Sequence, residues 1–448
     1  MKIYVTILED SVDATIDAIR AVKHDHDGIE VRAERFAGRD MVPIRNATRK
    51  PLLLTHRGMS ISPEIIVRGA EAGFDLIDVE WPPKYELPLR GKVVLSHHDY
   101  EAVPDVDALL RDMRATGCAH VKLAATPRSF AENEALLKPL SPIGPSRPVR
   151  PIRPIVPPNV TLIGMGDCGL YSRVLAPFLG SEFMFVAPNE AKTAAPGQLT
   201  LERALAIYGD RRTYNGPAIF AIVGNPVAHS LSPTIHNPLF REHNLNAIYT
   251  AAHLDRFDEI LGTPRLKGIS ITAPFKEEAF RYAQSVDAEI GPNAVACGAV
   301  NTLLFGQDGV YADNTDVDGF RTILKDVCGK DRKSVAIVGA GGTARAALAA
   351  IEAMHVTVYN RTAGKLGARP LDELSSFDGE IVINTASKGA DIPLPLKPGM
   401  TLIEAAYGQP ATADAQRAGV TVYTGEDLLH AQAQRQNELF RRIAHDSR

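Results

Sequence analysis

Two lysines in different halves of the chain have neighbours suited to chemistry on a carbonyl group. The first, Lys122, lies in the apolar segment His120-Val121-Lys122-Leu123-Ala124. Burial favours the neutral amine, and only a neutral amine attacks a ketone to form an imine. His98, in Ser96-His97-His98-Asp99, can transfer protons near neutral pH. Because successive side chains of a strand point to opposite faces, only one of the paired histidines can enter a site, and the Ser-x-His-Asp pattern favours His98.

The second lysine, Lys276, ends Thr272-Ala273-Pro274-Phe275-Lys276, and its expected partner is Asp316 in Asn314-Thr315-Asp316. Reduction of a ketone produces an alkoxide, which a lysine ammonium can stabilise and protonate. A neighbouring aspartate would hold that lysine in place and favour its charged form. The sequence thus predicts two consecutive carbonyl reactions in one polypeptide.

Length and composition limit the class of protein. A chain of 448 residues is too long for one compact core, so two or three domains are expected. The 45% apolar and 23% charged contents are ordinary, and a net charge of −4 gives no bias toward nucleic acid or anionic membranes. The four cysteines lie far apart, without metal-ligand spacing, and are expected to be reduced. With neither a leader-like start nor a membrane-length apolar run, we predict a cytoplasmic protein without metal, nucleic-acid or membrane partners.

Short β-rich runs alternate with helical or loop segments through the first 190 residues. Strands that alternate with helices pair in parallel, and eight such units predict closure into a (β/α)8 barrel. The predicted strands are Lys2–Leu8, Ile29–Glu34, Leu52–Arg57, Leu76–Trp81, Val93–Asp99, His120–Thr126, Thr161–Gly166 and Phe183–Pro188. Polar side chains collect at their carboxyl ends, the rim that carries catalysis in such barrels. These residues are Glu30, Arg32, Arg57, Glu80, His98 and Lys122.

A proline-rich segment lies between the sixth and seventh predicted strands. Prolines recur at every third residue from Pro139 to Pro157, which is the period of a polyproline II helix. The favoured interpretation is a rigid strap whose apolar edge packs on the barrel while its arginines face water. The alternative is a docking ligand for a proline-recognising domain.

Two further α/β units follow the barrel. One starts at Ala218-Ile219-Phe220-Ala221-Ile222-Val223 and the next at Ser334-Val335-Ala336-Ile337-Val338-Gly339. We predict domains at residues 1–212, 213–320 and 321–448. The last helix, over about 425–446, is expected to return to the middle domain.

The third domain opens with the pattern of a dinucleotide-binding fold. Gly339-Ala340-Gly341-Gly342-Thr343-Ala344 follows an apolar strand and precedes an alanine-rich helix, the context that places a pyrophosphate at a helix N-terminus. The next strand ends in Asn360-Arg361-Thr362. An acidic residue there would bind the ribose hydroxyls of NAD, whereas an arginine suits the 2′-phosphate of NADP. NADP(H) is therefore the predicted cofactor.

Taken together, the motifs of residues 1–210 resemble type I 3-dehydroquinate dehydratase. The matching segments are Glu30-Val31-Arg32, Leu54-Thr55-His56-Arg57, Asp78-Val79-Glu80, Ser96–Asp99, Val121–Ala124, Met165-Gly166, Ser172-Arg173 and Ala195-Pro196-Gly197-Gln198. The resemblance implies that Lys122 forms an imine with the substrate ketone. It implies that His98, assisted by Glu80, removes the adjacent proton and helps the hydroxyl leave. Arg173 would bind the substrate carboxylate, and the remaining residues would hold hydroxyls and support the site: Glu30, Arg32, Arg57 and Gln198.

One position departs from that family pattern. The family usually has serine four residues before the glutamine, where this chain has Ala194. A substrate-facing hydroxyl is then absent unless Thr193 or a water replaces it. Loss of one hydrogen bond, about 0.5–1.5 kcal/mol, is expected to weaken binding or turnover without abolishing it.

Residues from about 219 to 440 resemble shikimate dehydrogenase. The matching segments are Gly224–Pro233, Gly268–Lys276, Gly298–Thr302 and Asp313–Asp316, in that order. The resemblance implies that Ser230 and Ser232 bind the carboxylate and that Lys276 and Asp316 form the catalytic pair. Hydroxyls would be bound by Thr272, Asn301 and Gln432. Ser270 stands where the family often has asparagine, a minor departure.

The sequence therefore predicts a barrel followed by a two-domain, shikimate-dehydrogenase-like unit with an α/β substrate domain and a Rossmann-type NADP domain. The expected enzyme dehydrates 3-dehydroquinate to 3-dehydroshikimate and reduces that product to shikimate with NADPH. Its partners are small molecules, and a homo-oligomer is left open. The alternative is a catabolic quinate/shikimate dehydrogenase fused to a weakened dehydratase, against which Arg361 argues. A degenerate scaffold and a protein acting through its proline-rich segment are disfavoured by the two complete catalytic sets.

Overall fold

The chain forms two compact units in the computed structural model. The described residues are 1–36, 38–57, 62–140, 159–209, 217–328, 333–351, 355–386, 390, 392–406 and 410–445. One unit comprises Met1–Pro217, Pro226–Ser230 and Thr250–Leu261, and the other comprises Ala218–Asn225, Leu231–Tyr249 and Gly262–Arg448. The proline-rich segment beyond Leu140 and the domain boundary predicted near residue 213 lie outside the described residues.

Eight parallel strands form the first sheet, which confirms the predicted barrel. Consecutive strands pair from the first to the seventh, and the first strand also pairs with the eighth. The strands are β1 (Lys2–Leu8), β2 (Gly28–Arg32), β3 (Leu52–Thr55), β4 (Leu76–Glu80), β5 (Val93–Asp99), β6 (His120–Ala125), β7 (Val160–Gly164) and β8 (Phe183–Val186). The helices are α1 (Val12–Ala21), α2 (Val42–Ala47), α3 (Pro63–Glu71), α4 (Val106–Ala115), α5 (Phe130–Leu137), α6 (Leu170–Leu175) and α7 (Leu201–Tyr208).

Side-chain hydroxyls hold the seam between β7 and β8. The N–H of Leu162 donates to Ser181 Oγ at 3.0 Å, and the N–H of Phe183 donates to Thr161 Oγ1 at 3.0 Å. Both hydroxyl residues are buried. Side chains thus take the place of ladder carbonyls here and leave the barrel nearly closed.

The interior of the barrel changes from apolar to polar along the strands. Near the amino ends, Tyr4, Phe183 and Phe185 form an aromatic cluster, with ring centroids 5.0–6.3 Å apart. His120 stacks on Phe183 at 4.3 Å. Because alternate residues of a strand share a face, Lys122 points inward two residues closer to the carboxyl end. This alternation positions a lysine above an apolar floor.

Four barrel helices begin at a capping side chain. The side-chain oxygens of these residues accept the backbone N–H three residues later, which satisfies a donor that the first turn cannot pair. The capping residues are Ser11, Asp105, Ser129 and Thr200. Each cap ends a loop at a defined residue and so helps fix the connections between strands and helices.

A mixed six-stranded sheet follows in the order β10-β9-β11-β13-β14-β12. Its strands are β9 (Ala218–Gly224), β10 (Ala247–His253), β11 (Leu266–Ile271), β12 (Glu289–Ile290), β13 (Thr302–Gly306) and β14 (Gly309–Asp313). Its helices are α8 (Ser232–Glu242), α9 (Lys276–Ser285), α10 (Pro292–Cys297) and α11 (Asp316–Cys328). The antiparallel pairing of β13 with β11 and β14 brings Thr302 beside Ser270 and Asp313.

The third sheet is wholly parallel, in the order β17-β16-β15-β18-β19-β20, and has the predicted Rossmann-type arrangement. Its strands are β15 (Ser334–Val338), β16 (His355–Asn360), β17 (Arg369–Pro370), β18 (Ile381–Asn384), β19 (Thr401–Glu404) and β20 (Thr421–Tyr423). Its helices are α12 (Gly342–Ala350) and α13 (Pro410–Arg417), and the chain continues into α14 (Gly425–His445).

Helix α14 packs against α8, α11, β11 and β13, all of which belong to the middle part of the sequence. Its Phe440 ring lies 4.6 Å from that of Phe220 on β9. The boundary predicted at residue 320 falls within α11, which contacts both α12 and α14. The three domain ranges stay predictions.

Among the described residues, no helix combines the length and apolar character needed to span a bilayer. Within the same residues, no group of His, Cys, Asp and Glu side chains has the arrangement of a metal site.

Replacement of Thr161 by Val should destabilise the barrel. The hydroxyl accepts the N–H of Phe183 and lies 2.8 Å from His120 Nε2, so its loss leaves buried polar groups without a partner. We expect the free energy of unfolding to fall by about 1–3 kcal/mol, measured by urea denaturation followed by circular dichroism. The exposed Thr193→Val variant is the control and should change it by less than about 0.5 kcal/mol. Equal effects of the two substitutions would contradict this account of the seam.

Candidate active sites

A cavity of about 100 Å³ opens among the carboxyl ends of the barrel strands. Its lining includes the predicted residues Glu30, Arg32, Arg57, His98, Lys122, Arg173 and Gln198. Glu80 does not line the cavity and instead contacts His98. The remaining walls are largely apolar, from Ile163, Met165 and Phe185 to the loop containing Ala194.

Lys122 is held between carboxylates and an aromatic ring. Its Nζ lies 3.3 Å from Asp78 Oδ2, 3.8 Å from Glu30 Oε1 and 4.1 Å from the centroid of the Phe185 ring. Only 4% of the residue is exposed. A buried ammonium needs compensation of this kind, and the contacts direct Nζ into the cavity.

Asp78 is a central residue that the sequence analysis missed as a site residue. Both of its carboxylate oxygens accept hydrogen bonds from Arg57, each at 2.8 Å, and Oδ1 also accepts from Ser96 Oγ at 2.6 Å. Burial opposes ionisation of this carboxyl, but Arg57 and Lys122 hold its pKa well below the ordinary value. A signal was present in the sequence, because Asp78 lies two residues before Glu80 and so shares its face of β4.

Glu80 orients His98 through two hydrogen bonds. Its carboxylate accepts the backbone N–H of His98 at 2.9 Å and lies 2.8 Å from the ring Nδ1. With Nδ1–H donated to Glu80, the imidazole Nε2 is left as an acceptor. Burial lowers the pKa of His98, helped by the charges of Arg57 and Lys122, while the Glu80 bond opposes this shift. The imidazole is therefore neutral at pH 7 and suited to act as a base.

Buried hydroxyl and amide groups surround Glu30. Its oxygens accept from Thr6 Oγ1 at 2.7 Å and Thr55 Oγ1 at 2.9 Å. Burial opposes ionisation, but Lys122 and the Thr6 bond lower the pKa of Glu30. Gln198 Nε2 donates to Thr6 at 3.1 Å, and Gln198 Oε1 accepts the N–H of Ala194 at 2.7 Å. These bonds fix the loop that carries Ala194 relative to β1 and β2.

Arg173 has no carboxylate within ion-pair distance among the described residues. Its Nε donates to the carbonyl of Gly164 at 2.7 Å and one Nη to that of Pro196 at 3.1 Å. Burial lowers the pKa of Arg173 to about 10, which still leaves it charged at neutral pH. Arg32, in contrast, already pairs with Glu34 at 2.6 Å. A buried guanidinium without a counter-charge is a strong candidate for binding an anion from solution.

Thr193 does not replace the hydroxyl that Ala194 lacks. Its side chain is exposed, and it is not among the described residues that line this cavity. At residue 194 the wall therefore presents only a methyl group.

The second catalytic set lies around a cavity of about 120 Å³ in the other unit. Lys276 starts α9 and donates to the carboxylate of Asp316, which starts α11. Lys276 Nζ also lies 3.4 Å from Thr343 Oγ1. Asn301 Nδ2 donates to Asp316 Oδ1 at 2.9 Å, so each carboxylate oxygen has a donor. This arrangement fixes a lysine ammonium at the cavity wall.

Amide and hydroxyl groups form the rest of the lining. The predicted residues in it are Ser232, Thr272, Lys276, Asn301, Asp316, Thr343 and Gln432. Gln432 Oε1 accepts from Thr315 Oγ1 at 2.7 Å, which in turn lies 3.0 Å from Asn301 Nδ2. Ser230 is buried, and the lining found among the described residues does not include it.

Gln436 is a second residue that the sequence analysis missed. Its Oε1 accepts from Ser270 Oγ at 2.8 Å, and its Nε2 donates to Thr302 Oγ1 at 2.7 Å. The Tyr249 hydroxyl donates to the same Ser270 at 2.5 Å. Gln436 lies four residues after Gln432 on α14 and therefore on the same face, which was the available signal.

The glycine turn fits a dinucleotide. Gly339 has φ +109°, where a side chain would be strained, and a Cβ there would lie 2.5 Å from Thr385 Oγ1. A Cβ on Gly342 would lie 3.1 Å from the Lys276 side chain, so this glycine lets the helix start approach the catalytic lysine. Ala340 and Ala344 are buried, and space beside Gly341 is open.

The residues predicted to bind the ribose phosphate lie at the carboxyl end of β16 and directly after it. Asn360 Nδ2 donates to the carbonyl of Thr362 at 3.0 Å, and Arg361 is exposed without an ion-pair partner among the described residues. This loop presents a cation to solvent at the end of the strand next to the glycine turn.

The titration of His98 tests this description of the first cavity. We expect its ring to titrate below the ordinary pKa of 6.5, because burial and two nearby cations disfavour the charged imidazolium. The Glu80→Gln substitution removes the contact that raises the pKa, so the value should fall further. NMR of the ring protons, assigned with a His98→Asn variant, measures both. An unchanged or raised pKa in Glu80→Gln would contradict the proposed geometry.

Known families match the parts of the sequence that contain each of the two cavities. Residues 3–214 match the family described as Type I 3-dehydroquinase, and residues 222–303 match that described as Shikimate dehydrogenase substrate binding domain. A bifunctional 3-dehydroquinate dehydratase/shikimate dehydrogenase, chloroplastic, of Arabidopsis thaliana is 28% identical over 97% of this chain and 81% of its own length. A shikimate dehydrogenase (NADP(+)) of Hyphomonas neptunium is 36% identical over 48% of this chain and 88% of its own length.

Among solved structures, the dehydroquinate dehydratase and shikimate dehydrogenase from S. pombe AroM has a TM-score of 0.39 and 21% identity, covering 99% of this chain and 98% of that one. The sequence comparisons confirm both family resemblances inferred from the motifs. The chain belongs to the type I 3-dehydroquinase family in its first half and to the shikimate dehydrogenase family in its second.

Proposed function

We propose that this chain is a bifunctional enzyme that dehydrates 3-dehydroquinate to 3-dehydroshikimate and reduces that product to shikimate with NADPH. The observation that carries the proposal is the presence of two separate cavities, each lined by a lysine that pairs with a carboxylate, in a chain that matches both families. The bifunctional relative of Arabidopsis spans nearly the whole chain, which supports the same pair of activities.

In the first reaction, Lys122 gives up the proton of its ammonium group and attacks the substrate ketone as a neutral amine. Return of that proton and loss of water give a protonated imine. This cation acidifies the adjacent C–H bond, from which His98 Nε2 removes a proton. The same imidazolium then protonates the departing hydroxyl, and hydrolysis of the imine restores Lys122. The net change is loss of one water. Glu80 keeps Nδ1 protonated and so keeps Nε2 available for both transfers.

Substrate binding in the barrel depends on Arg173 and the groups around Glu30. Arg173 has no carboxylate partner in the described part of the chain, which supports its role as the site for the substrate carboxylate. Glu30 and Gln198 line the cavity and are suited to ring hydroxyls. Arg57 already donates to Asp78, Glu80 and Ser96. These contacts favour a role in holding the site together over direct binding of the substrate.

In the second reaction, Lys276 protonates the alkoxide that forms when the ketone is reduced. Asp316 holds the ammonium toward the cavity, and Asn301 holds Asp316. Thr272, Asn301 and Gln432 are suited to binding the substrate hydroxyls. Ser232, together with Ser230 two residues before it, is suited to binding the substrate carboxylate. When bound, NADPH supplies the hydride.

NADP rather than NAD is favoured by the exposed Arg361 at the end of β16 and by relatives whose names specify NADP(+). The residues expected to contact the cofactor are Gly339, Ala340, Gly341, Gly342, Thr343, Ala344, Asn360, Arg361 and Thr362. This preference and the biosynthetic names of the relatives disfavour the catabolic alternative. A homo-oligomer and a cytoplasmic location stay predictions.

Two lysine substitutions should separate the activities. Lys122→Ala should reduce formation of the conjugated enone from 3-dehydroquinate by at least about 10²–10⁴-fold, while NADPH oxidation with added 3-dehydroshikimate persists. Lys276→Ala should show the reverse, because it removes the proton donor of reduction only. Ultraviolet absorbance of the enone and of NADPH measures both reactions.

The exposed lysines Lys84 and Lys325 provide matched controls for those substitutions. Their replacement by alanine should leave both rates within about twofold, since neither lines a described cavity. Loss of both activities in one well-folded Lys122→Ala or Lys276→Ala variant would overturn the model of two separate sites.

Borohydride tests the imine directly. Reduction in the presence of 3-dehydroquinate should add the mass of the reduced ligand to the peptide that contains Lys122, as detected by mass spectrometry. The Lys122→Ala variant and enzyme treated without substrate should show no adduct. Turnover without any adduct on this peptide would refute the imine mechanism.

A further inference from the structure

One hydroxyl group in the lining of the barrel cavity forms no hydrogen bond with the described residues. Among the described residues that line it, only Thr6 and Tyr100 carry hydroxyl groups. Thr6 donates to Glu30 and accepts from Gln198, so it is fully engaged. The Tyr100 hydroxyl has no hydrogen-bond partner among the described residues, and Ala194 adds only a methyl group.

A short turn places Tyr100 at the mouth of the cavity. Tyr100 follows directly after β5, and the Asp99 carboxylate accepts the N–H groups of Glu101 and Ala102, each at 2.9 Å. The Tyr100 ring stacks on His98, with centroids 6.3 Å and planes 25° apart. These two hydrogen bonds to Asp99 fix the turn after β5 and so help to hold the Tyr100 ring beside the imidazole that we assign as the base.

The exposure of Tyr100 distinguishes it from the other lining aromatic. Phe185 is 8% exposed and packs within the barrel, whereas Tyr100 is 63% exposed. An aromatic ring with a polar tip at the edge of a cavity can cover a ligand with its face and hydrogen-bond it with its hydroxyl. Among the described residues, the Tyr100 ring stacks on His98 alone, and the Tyr100 hydroxyl has no hydrogen-bond partner.

We propose that Tyr100 is a substrate-binding and specificity-determining residue of the dehydratase site, whose hydroxyl binds a ring hydroxyl of the substrate. This inference rests on the proposed dehydration of 3-dehydroquinate. Arg173 is the cation suited to the carboxylate, and Lys122 takes the ketone, so the two hydroxyls retained in the product need hydrogen-bond partners in addition to Glu30 and Gln198. Tyr100 provides such a partner on the side of His98 and selects a polyhydroxylated ring over an apolar cyclic ketone.

Substitution of Tyr100 by Phe tests the hydroxyl while keeping the ring. The variant should raise KM for 3-dehydroquinate roughly three- to tenfold with kcat within about twofold, because a neutral hydrogen bond made in both ground and transition states is lost. Substrate analogues that lack one or the other retained hydroxyl identify the partner. For one of these analogues, Tyr100→Phe and wild type should have the same KM.

Tyr85→Phe is the matched control, since Tyr85 is half-buried in the same unit and does not line the cavity. Its KM should equal that of wild type. The dehydrogenase rate of each variant reports that the chain is folded. A wild-type KM in Tyr100→Phe, or a KM increase that persists with both analogues, would overturn the inference.

Calorimetry separates this inference from the proposed function. The Lys122→Ala variant should bind 3-dehydroquinate without turnover, and Tyr100→Phe in that background should raise Kd three- to tenfold. If the wild-type protein bound 3-dehydroquinate but did not dehydrate it, the proposed reaction would be wrong. The comparison of Kd with and without Tyr100→Phe would still decide the role of Tyr100. An unchanged Kd in the double variant would overturn the role of Tyr100 alone.

Discussion

A lysine ammonium removed from water costs several kcal/mol unless nearby carboxylates and hydrogen-bond donors compensate it, and both cavities are arranged around this requirement. Lys122 lies between Asp78, Glu30 and the face of Phe185. Lys276 lies against Asp316. Most of the other polar residues described above hold these carboxylates in position, so the two lysines organise the sites as much as they react in them.

The two lysines differ in how their carboxylate partners are held. Asp78 accepts hydrogen bonds from Arg57 with both of its oxygens, so its position does not depend on Lys122 alone. Asp316 has one amide donor, from Asn301, as its other side-chain contact among the described residues. Asp316 is therefore held mainly by the lysine that it positions.

Orientation is the second common feature, and it comes from residues that do not meet the substrate. Glu80 accepts from both the backbone and the ring of His98, which selects the tautomer of the imidazole. Gln436 joins Ser270 to Thr302 and so ties α14 to β11 and β13. Such bonds cost little during the reaction because they exist before the substrate arrives. They also make each site depend on segments far apart in the chain.

The sequence by itself determined the strands of the barrel and which polar residues lie at their ends. Apolar runs of strand length predicted all eight barrel strands, because strand periodicity and parallel pairing are local rules. The polar residues at the strand ends include Lys122, His98 and Glu30, which line one cavity. The glycine turn was predicted from the strand and helix on either side of it in sequence, and the role of Arg361 stays a prediction.

Only the tertiary structure decided that Lys122 contacts Asp78 and Glu30 and that Arg57 is engaged by Asp78. It also decided that Ser232, and not Ser230, is among the described residues that line the second cavity. It further decided that Thr193 is exposed and is not in the lining of the barrel cavity, and that the Tyr100 hydroxyl has no hydrogen-bond partner among the described residues. These outcomes depend on distances between side chains from different strands and loops. No local pattern encodes such distances, because each depends on the packing of the whole unit.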